Sequence, residues 1–253
     1  CNICNNIMSK NIILFDVDGT LVESGDKIYN ETRYELLNKL KNKYEIGIVG
    51  GGSLDKILKQ LDFNKIQFDH YFTECGCDYY DNNLNNIYKK NIRQHHLYDK
   101  INILIKKALQ FISRVSYNVT GHFIDLRNGI IYISLIGMQA NEDERMYFKD
   151  LDNTFNIRKK LITILREEAK KINILDKISI NYGGTVGIGV YPIEYDKVQV
   201  IKLLQSKYDK IIYFGDKYDE DGNDYHIINH NLVSGYKIDK VEQTYDILNK
   251  KLL

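Results

Sequence analysis

Short apolar runs alternate with amphipathic stretches near the start of the chain. The runs NIILF (11–15) and YEIGIVGG (44–51) have the length and composition of buried strands. The stretch between them, residues 27–44, places apolar side chains at helical spacing, namely Ile28, Leu36, Leu37, Leu40 and Tyr44. A strand, a helix and a second strand in this order predict a parallel sheet with a right-handed crossover.

The pattern changes in the middle of the chain. Residues 101–112 and 156–172 are amphipathic and predict two helices. Between them, residues 122–137 (HFIDLRNGIIYISLIG) predict a β-hairpin that turns at Arg127-Asn128-Gly129. Residues 177–193 predict further strand with a glycine-rich middle. Helices combined with antiparallel strands indicate an α+β unit.

The first pattern returns near the end of the chain. Residues 197–208 predict a helix, residues 210–216 (KIIYFGD) an apolar strand that ends in an acid, and residues 241–253 a closing helix. We therefore predict an α/β core with a parallel sheet that is split between residues 1–87 and 187–253. An inserted domain with an antiparallel sheet is predicted at 88–186.

Composition excludes some classes of partner. The 253 residues carry a formal net charge of +1, which gives no argument for binding nucleic acid or an anionic membrane surface. No apolar run approaches the ~18 residues of a membrane span, and no signal-peptide pattern is present. We expect a cytoplasmic protein.

The four cysteines allow two interpretations. Cys1, Cys4, Cys75 and Cys77 form two closely spaced pairs that could together supply four thiolates to zinc. The pairs are far apart in sequence, so we favour reduced cysteines of a cytosolic protein. The six histidines are scattered apart from the adjacent His95 and His96, and without ligand spacing we expect them to be solvated or hydrogen-bonded.

Carboxylates follow two of the predicted parallel strands. Asp16 and Asp18 come directly after the first strand, and Asp216 follows the strand at 210–215. Ligands of parallel α/β sheets bind beyond the carboxyl ends of the strands. Converging carboxylates there would hold a hard divalent cation, and Mg²⁺ with several waters is the expected ion. The calcium-loop alternative for residues 216–224 lacks the acid that such a loop needs at its end.

This arrangement is suited to phosphoryl transfer. A carboxylate held near phosphorus can act as a nucleophile and form an aspartyl-phosphate, and the acid two residues on can manage the proton of a hydroxyl. Gly19 permits a tight turn, and Lys197 is the candidate for balancing the charge. The alternative, that Asp16 and Asp18 only start a turn, does not explain the later G-D strand end or Asn223-Asp224.

Several motifs resemble one known family. FDVDGTLV (15–22) is similar to the first motif of the haloacid dehalogenase (HAD) superfamily of phosphoryl-transfer enzymes. The segments at 46–61, 123–137, 143–162, 191–197 and 213–227 follow, in order and spacing, the eukaryotic-type phosphomannomutases. The resemblance covers nearly the whole chain after about residue 10. It implies a HAD-like Rossmannoid core with a parallel sheet, and an inserted α+β cap with an antiparallel sheet.

The resemblance also implies an activity. Such enzymes interconvert mannose 6-phosphate and mannose 1-phosphate through an aspartyl-phosphate and supply GDP-mannose synthesis. They use Mg²⁺ and a hexose 1,6-bisphosphate activator. Carried over, Asp16 is the nucleophile, Asp18 the general acid/base, and Lys197 neutralises the phosphoryl group. Asp16, the backbone carbonyl of Asp18, and Asp216 bind the metal, with Asn223 and Asp224 as further candidate ligands.

The cap carries the residues that the resemblance assigns to substrate binding. Arg127 and Arg145 match arginines that grip the sugar and its distal phosphate, and Asn128 lies beside the first. Cap closure would exclude water, so that phosphate passes to sugar. The family is commonly dimeric through its caps, so the resemblance implies a homodimer.

The chain also departs from the family pattern. Gly25 and Met138 stand where the family has arginines, and Gly187 and Gly189 where it has a serine and an aspartate that bind sugar hydroxyls. Further differences fall at Gly52 (beside Ser53), His230 and Val233. A phosphomannomutase, either working or a catalytically impaired homologue, is the first hypothesis. A HAD-type sugar-phosphate phosphatase or mutase of altered specificity is the second. A non-enzymatic binding or assembly protein that retains the fold is the third.

Overall fold

A computed structural model describes residues 10–23, 25–220 and 222–253. The strands are β1 (Asn11–Phe15), β2 (Glu45–Val49), β3 (His70–Thr73), β4 (Asp78–Asp81), β5 (Asn86–Lys89), β6 (Ile124–Leu126), β7 (Ile131–Ser134), β8 (Ile178–Gly183), β9 (Gly187–Pro192), β10 (Lys210–Gly215) and β11 (Val233–Lys237). The α-helices are α1 (Glu31–Leu40), α2 (Leu54–Leu61), α3 (Tyr98–Ile112), α4 (Glu142–Phe155), α5 (Ile157–Lys171), α6 (Gln199–Leu204), α7 (Tyr225–Ile228) and α8 (Val241–Ile247).

The described chain divides into two compact units. The first contains the residues up to Tyr88 together with Lys197–Asp219 and Asp224–Leu253, and the second contains Lys89–Asp196 and Glu220–Asn223. The first unit is built on a seven-stranded sheet in the order β11-β10-β1-β2-β3-β4-β5. Strands β11, β10, β1, β2 and β3 are parallel, and β4 is antiparallel to β3. The predicted mainly parallel sheet is confirmed.

Both faces of this sheet are covered, which explains why its central strands are apolar without alternation. On one face, Ile13 and Phe15 of β1 belong to a core formed with α1, α2 and α8. On the other face, Ile12 and Leu14 belong to a core formed with α6 and α7. All four side chains are fully buried.

The second unit has a four-stranded antiparallel sheet in the order β6-β7-β9-β8. The predicted hairpin is present as β6 and β7, and Arg127 N–H donates to the Ile130 carbonyl at 3.0 Å to close its turn. Helix α5 contacts β8 and β9 as well as α3 and α4. Successive side chains of β7 and β9 point to opposite faces of the sheet. One face carries the buried apolar residues Ile131, Ile133, Ile188 and Val190.

The second boundary of the inserted domain needs correction. The sequence placed it at 186/187, between the strands now seen as β8 and β9. These two strands pair over six residues from Ile178↔Pro192 to Gly183↔Gly187, and β9 also pairs with β7. A strand in the middle of a sheet cannot belong to a different unit, so the second unit continues to Asp196. The short apolar run of β9 carried no signal to distinguish the two sheets.

Two other expectations concern the cysteines and membrane-spanning helices. Cys75 and Cys77 are buried and do not form a disulfide. Cys1 and Cys4 lie outside the described residues, so the four-thiolate alternative is not tested. Within the described ranges, no helix combines the length and the hydropathy that crossing a bilayer requires.

Candidate active site

The carboxyl ends of β1 and β10 meet at one edge of the first unit's sheet. Phe15 and Phe214 are register partners, and the backbone N–H of Asp16 donates to the Phe214 carbonyl at 2.9 Å. Asp216 therefore lies beside Asp16. Asp224 joins them, and each of the three residues offers a carboxylate oxygen within 4.8 Å of the others. We call Asp16, Asp216 and Asp224 the carboxylate cluster.

Lys197 supplies a buried cation to this cluster. Its side chain is 0% exposed, and its Nζ lies 2.8 Å from Asp16 Oδ1 and 2.7 Å from Asp224 Oδ1. Tyr213 donates its hydroxyl to Asp224 Oδ1 at 2.5 Å, and the Lys217 backbone N–H donates to Asp224 Oδ2 at 3.0 Å. Asp224 thus orients Lys197 toward Asp16, a role that the sequence did not reveal.

Burial sets the protonation behaviour of the cluster. Loss of hydration raises the pKa of Asp16 to about 8; the Lys197 ammonium opposes this rise, and Asp224 and Asp216 add to it. Burial also raises the pKa of Asp216. Burial alone would lower the pKa of Lys197, but Asp16 and Asp224 outweigh it and hold that pKa well above its ordinary value.

The cluster suits a divalent cation. Lys197 is the buried ammonium beside Asp16 and Asp224, and the more exposed Lys217 ammonium pairs with Asp216. Two ammonium groups do not balance three carboxylates. Asp216 Oδ1 is buried and has no hydrogen-bond partner in the described part of the chain. Carboxylate oxygens are the ligands that Mg²⁺ prefers. The donor set therefore fits Mg²⁺.

Two glycines make room for the acids. Gly19 has φ +80°, and a Cβ there would lie 2.4 Å from Asp216 Oδ2. Gly215 faces Asp224 in the same way, because its Cβ would lie 2.6 Å from the Asp224 Cγ. Both positions therefore require glycine for the carboxylates to approach the turn after β1 and the end of β10.

The side chain of Asp18 stands apart from the cluster. Lys56 Nζ lies 2.6 Å from Asp18 Oδ2, while Gln60 Nε2 and the Gly25 backbone N–H each donate to Oδ1 at 2.8 Å. Burial raises the pKa of Asp18, but the Lys56 ammonium and these hydrogen bonds more than offset it, so the net shift is downward. Sequence reasoning missed Lys56 and Gln60, whose i, i+4 spacing on α2 was the available signal.

The predicted substrate residues lie in the second unit. Arg127 pairs through Nε with Asp125 Oδ2 at 2.6 Å. Arg145, on the first turn of α4, donates from Nε to the Ala140 carbonyl at 2.8 Å. The backbone carbonyl of Asn128 accepts the Ile92 backbone N–H at 2.6 Å. Asn223 was predicted as a candidate metal ligand and not as a substrate residue. Its Oδ1 is buried without a hydrogen-bond partner among the described residues.

Comparison with known proteins decides the family. The model of the family described as eukaryotic phosphomannomutase matches residues 33–253. The chain is 35% identical over 250 residues to phosphomannomutase 2 of Dictyostelium discoideum, covering 96% of this chain and 98% of that protein. It is 32% identical over 246 residues to the phosphomannomutase of Saccharomyces cerevisiae, covering 94% and 93%. The chain belongs to the eukaryotic phosphomannomutase family.

Solved structures support the fold alone. An IMP-bound, N-terminally truncated IMP-nucleotidase of Plasmodium falciparum matches with TM-score 0.66 and 15% identity, over 95% of this chain and 68% of that one. The C-terminal domain of the trehalose-6-phosphate phosphatase of C. albicans matches with TM-score 0.58 and 15% identity, over 95% and 91%. The predicted HAD-like fold class is confirmed.

One departure from the family pattern has a structural explanation in Tyr132. This residue is the register partner of Gly189 on β9. A Cβ at Gly187 would lie 2.3 Å from the Tyr132 Cζ, and one at Gly183 would lie 2.6 Å from its Cε2. The Tyr132 hydroxyl donates to the Gly183 carbonyl at 2.9 Å. The phenol ring therefore fills the space above the glycines, and a serine at Gly187 would displace it.

Tyr132 also contacts the predicted phosphate-gripping arginine. The Arg127 guanidinium lies 5.3 Å from the Tyr132 ring centroid, within cation–π range. We call Tyr132, Gly183, Gly187 and Gly189 the glycine face of the second unit. Sequence reasoning missed Tyr132, because nothing in a single strand identifies the side chain that covers a glycine on the neighbouring strand.

Gly25 and Met138, the two positions where the family pattern has arginines, differ in their surroundings. Gly25 has φ +83°, and a Cβ added there would have no atom within 4 Å, so an arginine would meet backbone strain and not a steric clash. Met138 is half-buried, and its carbonyl accepts a hydrogen bond from Arg145 Nη2 at 2.9 Å. An arginine at 138 would therefore extend from a backbone that already anchors Arg145.

Proposed function

We propose that this chain is a Mg²⁺-dependent phosphomannomutase that interconverts mannose 6-phosphate and mannose 1-phosphate through an aspartyl-phosphate on Asp16. Membership of the phosphomannomutase family supports this activity. The observation that carries the mechanism is the buried Asp16 carboxylate, held 2.8 Å from Lys197 and beside Asp216 and Asp224. A nucleophile needs a fixed and desolvated setting, and a bound cation would complete the charge balance of this one.

Each residue of the carboxylate cluster has a proposed task. Asp16 attacks phosphorus, and Lys197 holds its carboxylate in place and balances the charge of the transferred group. Asp224 and Tyr213 keep Lys197 oriented through their contacts of 2.7 and 3.4 Å with its Nζ. Mg²⁺ bound by Asp16, Asp216 and the backbone carbonyl of Asp18 would neutralise phosphoryl oxygens as negative charge develops.

Asp18 is the proposed general acid/base. Its lowered pKa keeps it ionised, which suits the step in which it accepts the proton of the attacking sugar hydroxyl. The phosphoryl group leaves Asp16 as that hydroxyl attacks, so the P–O bond to Asp16 breaks while the bond to the sugar oxygen forms. In the reverse half-reaction, the proton returns from Asp18 to the departing sugar oxygen as Asp16 regains a phosphoryl group.

The finer properties carried over from the family are part of the proposal. A hexose 1,6-bisphosphate would prime Asp16, and Arg127, Asn128 and Arg145 would bind the sugar phosphate. We also propose that the chain forms a homodimer through the second unit, is cytoplasmic, and supplies mannose 1-phosphate for GDP-mannose synthesis. The glycine face alters residues that bind sugar hydroxyls in the family, so substrate affinity is the property most open to change.

Phosphorus NMR tests the proposed function. The purified protein is given Mg²⁺ and mannose 1-phosphate, with and without glucose 1,6-bisphosphate, beside an Asp16→Asn control. A mannose 6-phosphate signal that depends on Asp16 is expected. Release of inorganic phosphate instead would identify a phosphatase, and an unchanged spectrum would show that mannose phosphates are not its substrates.

A further inference from the structure

Two short turns of the second unit bring together three residues that can bind a metal. His95 and His96 follow the turn Ile92–Gln94, and Glu194 lies in the turn Ile193–Tyr195. Each residue offers one ligand atom, and the three atoms lie within 4.8 Å of one another. Sequence reasoning found no such cluster, because 99 residues separate His95 from Glu194.

The site is partly pre-formed. His95 Nε2 lies 2.7 Å from Glu194 Oε1, and the side chain of His95 is 8% exposed. The ring of Tyr195 packs edge-on against His95 at 5.3 Å, and the rings of His95 and His96 are 4.4 Å apart at 35°. Two imidazoles and a carboxylate therefore face one small volume, and Glu194, with 47% of its side chain exposed, leaves that volume open to solvent.

The donor set determines the class of ion. Two imidazole nitrogens and one carboxylate oxygen are suited to Zn²⁺ and neighbouring transition ions, with water in the fourth position. Mg²⁺ prefers oxygen ligands and would remain with the carboxylate cluster. Bonds of roughly 2.0–2.2 Å in a tetrahedral site separate ligand atoms by about 3.3 Å. The contact between His95 and Glu194 therefore has to open by only a fraction of an ångström.

We propose that His95, His96 and Glu194 form a binding site for a divalent transition ion of the Zn²⁺ class. Binding through His95 Nε2 moves the proton of that ring to Nδ1 and gives up the 3.2 Å contact in which Leu97 N–H donates to Nδ1. His96 has no hydrogen-bond partner within the described ranges, so its ring can turn toward the ion at little cost.

The position of the site along the chain predicts that a bound ion stabilises the second unit. His95 and His96 come shortly after the chain enters the second unit at Lys89, and Glu194 comes shortly before it leaves at Asp196. An ion held by all three residues would cross-link the entering and leaving segments of that unit. A ligand that binds only the folded state raises stability by mass action, so the site would stabilise the folded second unit.

Titration of the full-length protein with Co²⁺ and Zn²⁺ tests this proposal. Excess Mg²⁺ is kept present to occupy the carboxylate cluster, Co²⁺ is followed by visible absorption, and Zn²⁺ by calorimetry and thermal unfolding. One equivalent is expected to bind, and the melting temperature is expected to rise. His96→Ala and Glu194→Gln are each expected to weaken binding by at least about tenfold, the lower limit for loss even of an outer contact.

His230→Ala is the matched control. His230 accepts the Leu232 backbone N–H through Nδ1 at 3.2 Å, as His95 does with Leu97, but it does not belong to a ligand cluster among the described residues. This variant and Asp16→Asn are expected to bind like the unchanged protein, and circular dichroism establishes that every variant is folded. Equal binding by all variants, loss of binding in Asp16→Asn, or no binding by the unchanged protein would each overturn the proposal.

Discussion

The carboxylate cluster of the first unit and the glycine face of the second unit differ in how they depart from the family. In the cluster and its surroundings, Asp16, Asp18, Lys197 and Asp216 all match the family's motifs. On the glycine face, Gly187 and Gly189 replace polar residues, and the ring of Tyr132 occupies space that a side chain at 187 would need. The residues of the proposed chemical centre therefore match the family pattern, whereas those of the proposed recognition surface depart from it.

The physical reason is the number of constraints on each residue. Lys197 is fully buried and contacts Asp16, Asp224 and Tyr213 together, so no single change there can be absorbed. A sugar hydroxyl needs only one good hydrogen bond, and several positions on a sheet face can provide it. We therefore expect single substitutions to cost more stability in the carboxylate cluster than at the residues that contact the sugar.

Replacing Lys197 should have the largest effect. Lys197→Met removes the cation between two buried carboxylates, and breaking a buried ion pair in this way costs about 3–5 kcal/mol. Urea unfolding measures the free energy, and the matched control is Lys202→Met at an exposed position of the neighbouring helix, α6. Equal free energies of unfolding for the two variants would contradict the inference that Lys197 stabilises the buried carboxylates.

Restoring an arginine at position 138 of the second unit should increase activity. Met138→Arg adds a charged hydrogen bond to a phosphate, worth about 1.5–3 kcal/mol, which corresponds to roughly 10- to 100-fold in kcat/KM. The gain is expected in KM, because the carboxylate cluster is unchanged. Met146→Arg, at a position that is 58% exposed on α4, is the control for added charge. A gain shared by both variants would show nonspecific attraction.

Restoring the serine at 187 should reduce stability. Gly187→Ser places a Cβ 2.3 Å from the Tyr132 Cζ, so the ring has to move, at a cost of about 1–3 kcal/mol for overpacking. Combined with Tyr132→Ala, the same substitution should cost much less. A double-mutant cycle of unfolding free energies measures this coupling, and additive effects would show that the two residues are independent.

The last expected effect is a pH dependence of the metal-free protein. The pKa of Asp16 is about 8 in the folded state against an ordinary value of 3.8, so between these values the folded state binds more protons than the unfolded state. The contribution of Asp16 to the free energy of unfolding is therefore greatest below pH ~4 and falls as pH rises toward 8. In EDTA, the melting temperature of Asp16→Asn should exceed that of the unchanged protein by a margin that grows from about pH 5 to about pH 8.

Added Mg²⁺ serves as the control for this experiment. It should remove most of the difference by stabilising the ionised Asp16 of the unchanged protein. A margin that is constant with pH, or that shrinks as pH rises, would show that Asp16 titrates normally in the folded chain.

Much of the site could be predicted because it follows from strand order. Asp16 and Asp216 each follow an apolar strand, and parallel strands place their carboxyl ends together, so the sequence alone indicated their proximity. A helix was also predicted within residues 27–44 from its spacing. The structure has it at 31–40, where Asn30 caps it by accepting the Thr32 N–H at 2.9 Å. These features depend on local periodicity and on one general rule of sheet topology.

The tertiary structure alone decided which distant residues meet. It placed Asp224 and Tyr213 on Lys197, Tyr132 over Gly187, and Glu194 beside His95. It also placed β9 in the second sheet, whereas the sequence prediction had put residues 187 onward in the core. The sequence by itself determined the local elements and the acids at the strand ends, because periodicity and turn chemistry act over a few residues. Side-chain contacts between elements depend on packing and register, which form only when the chain folds.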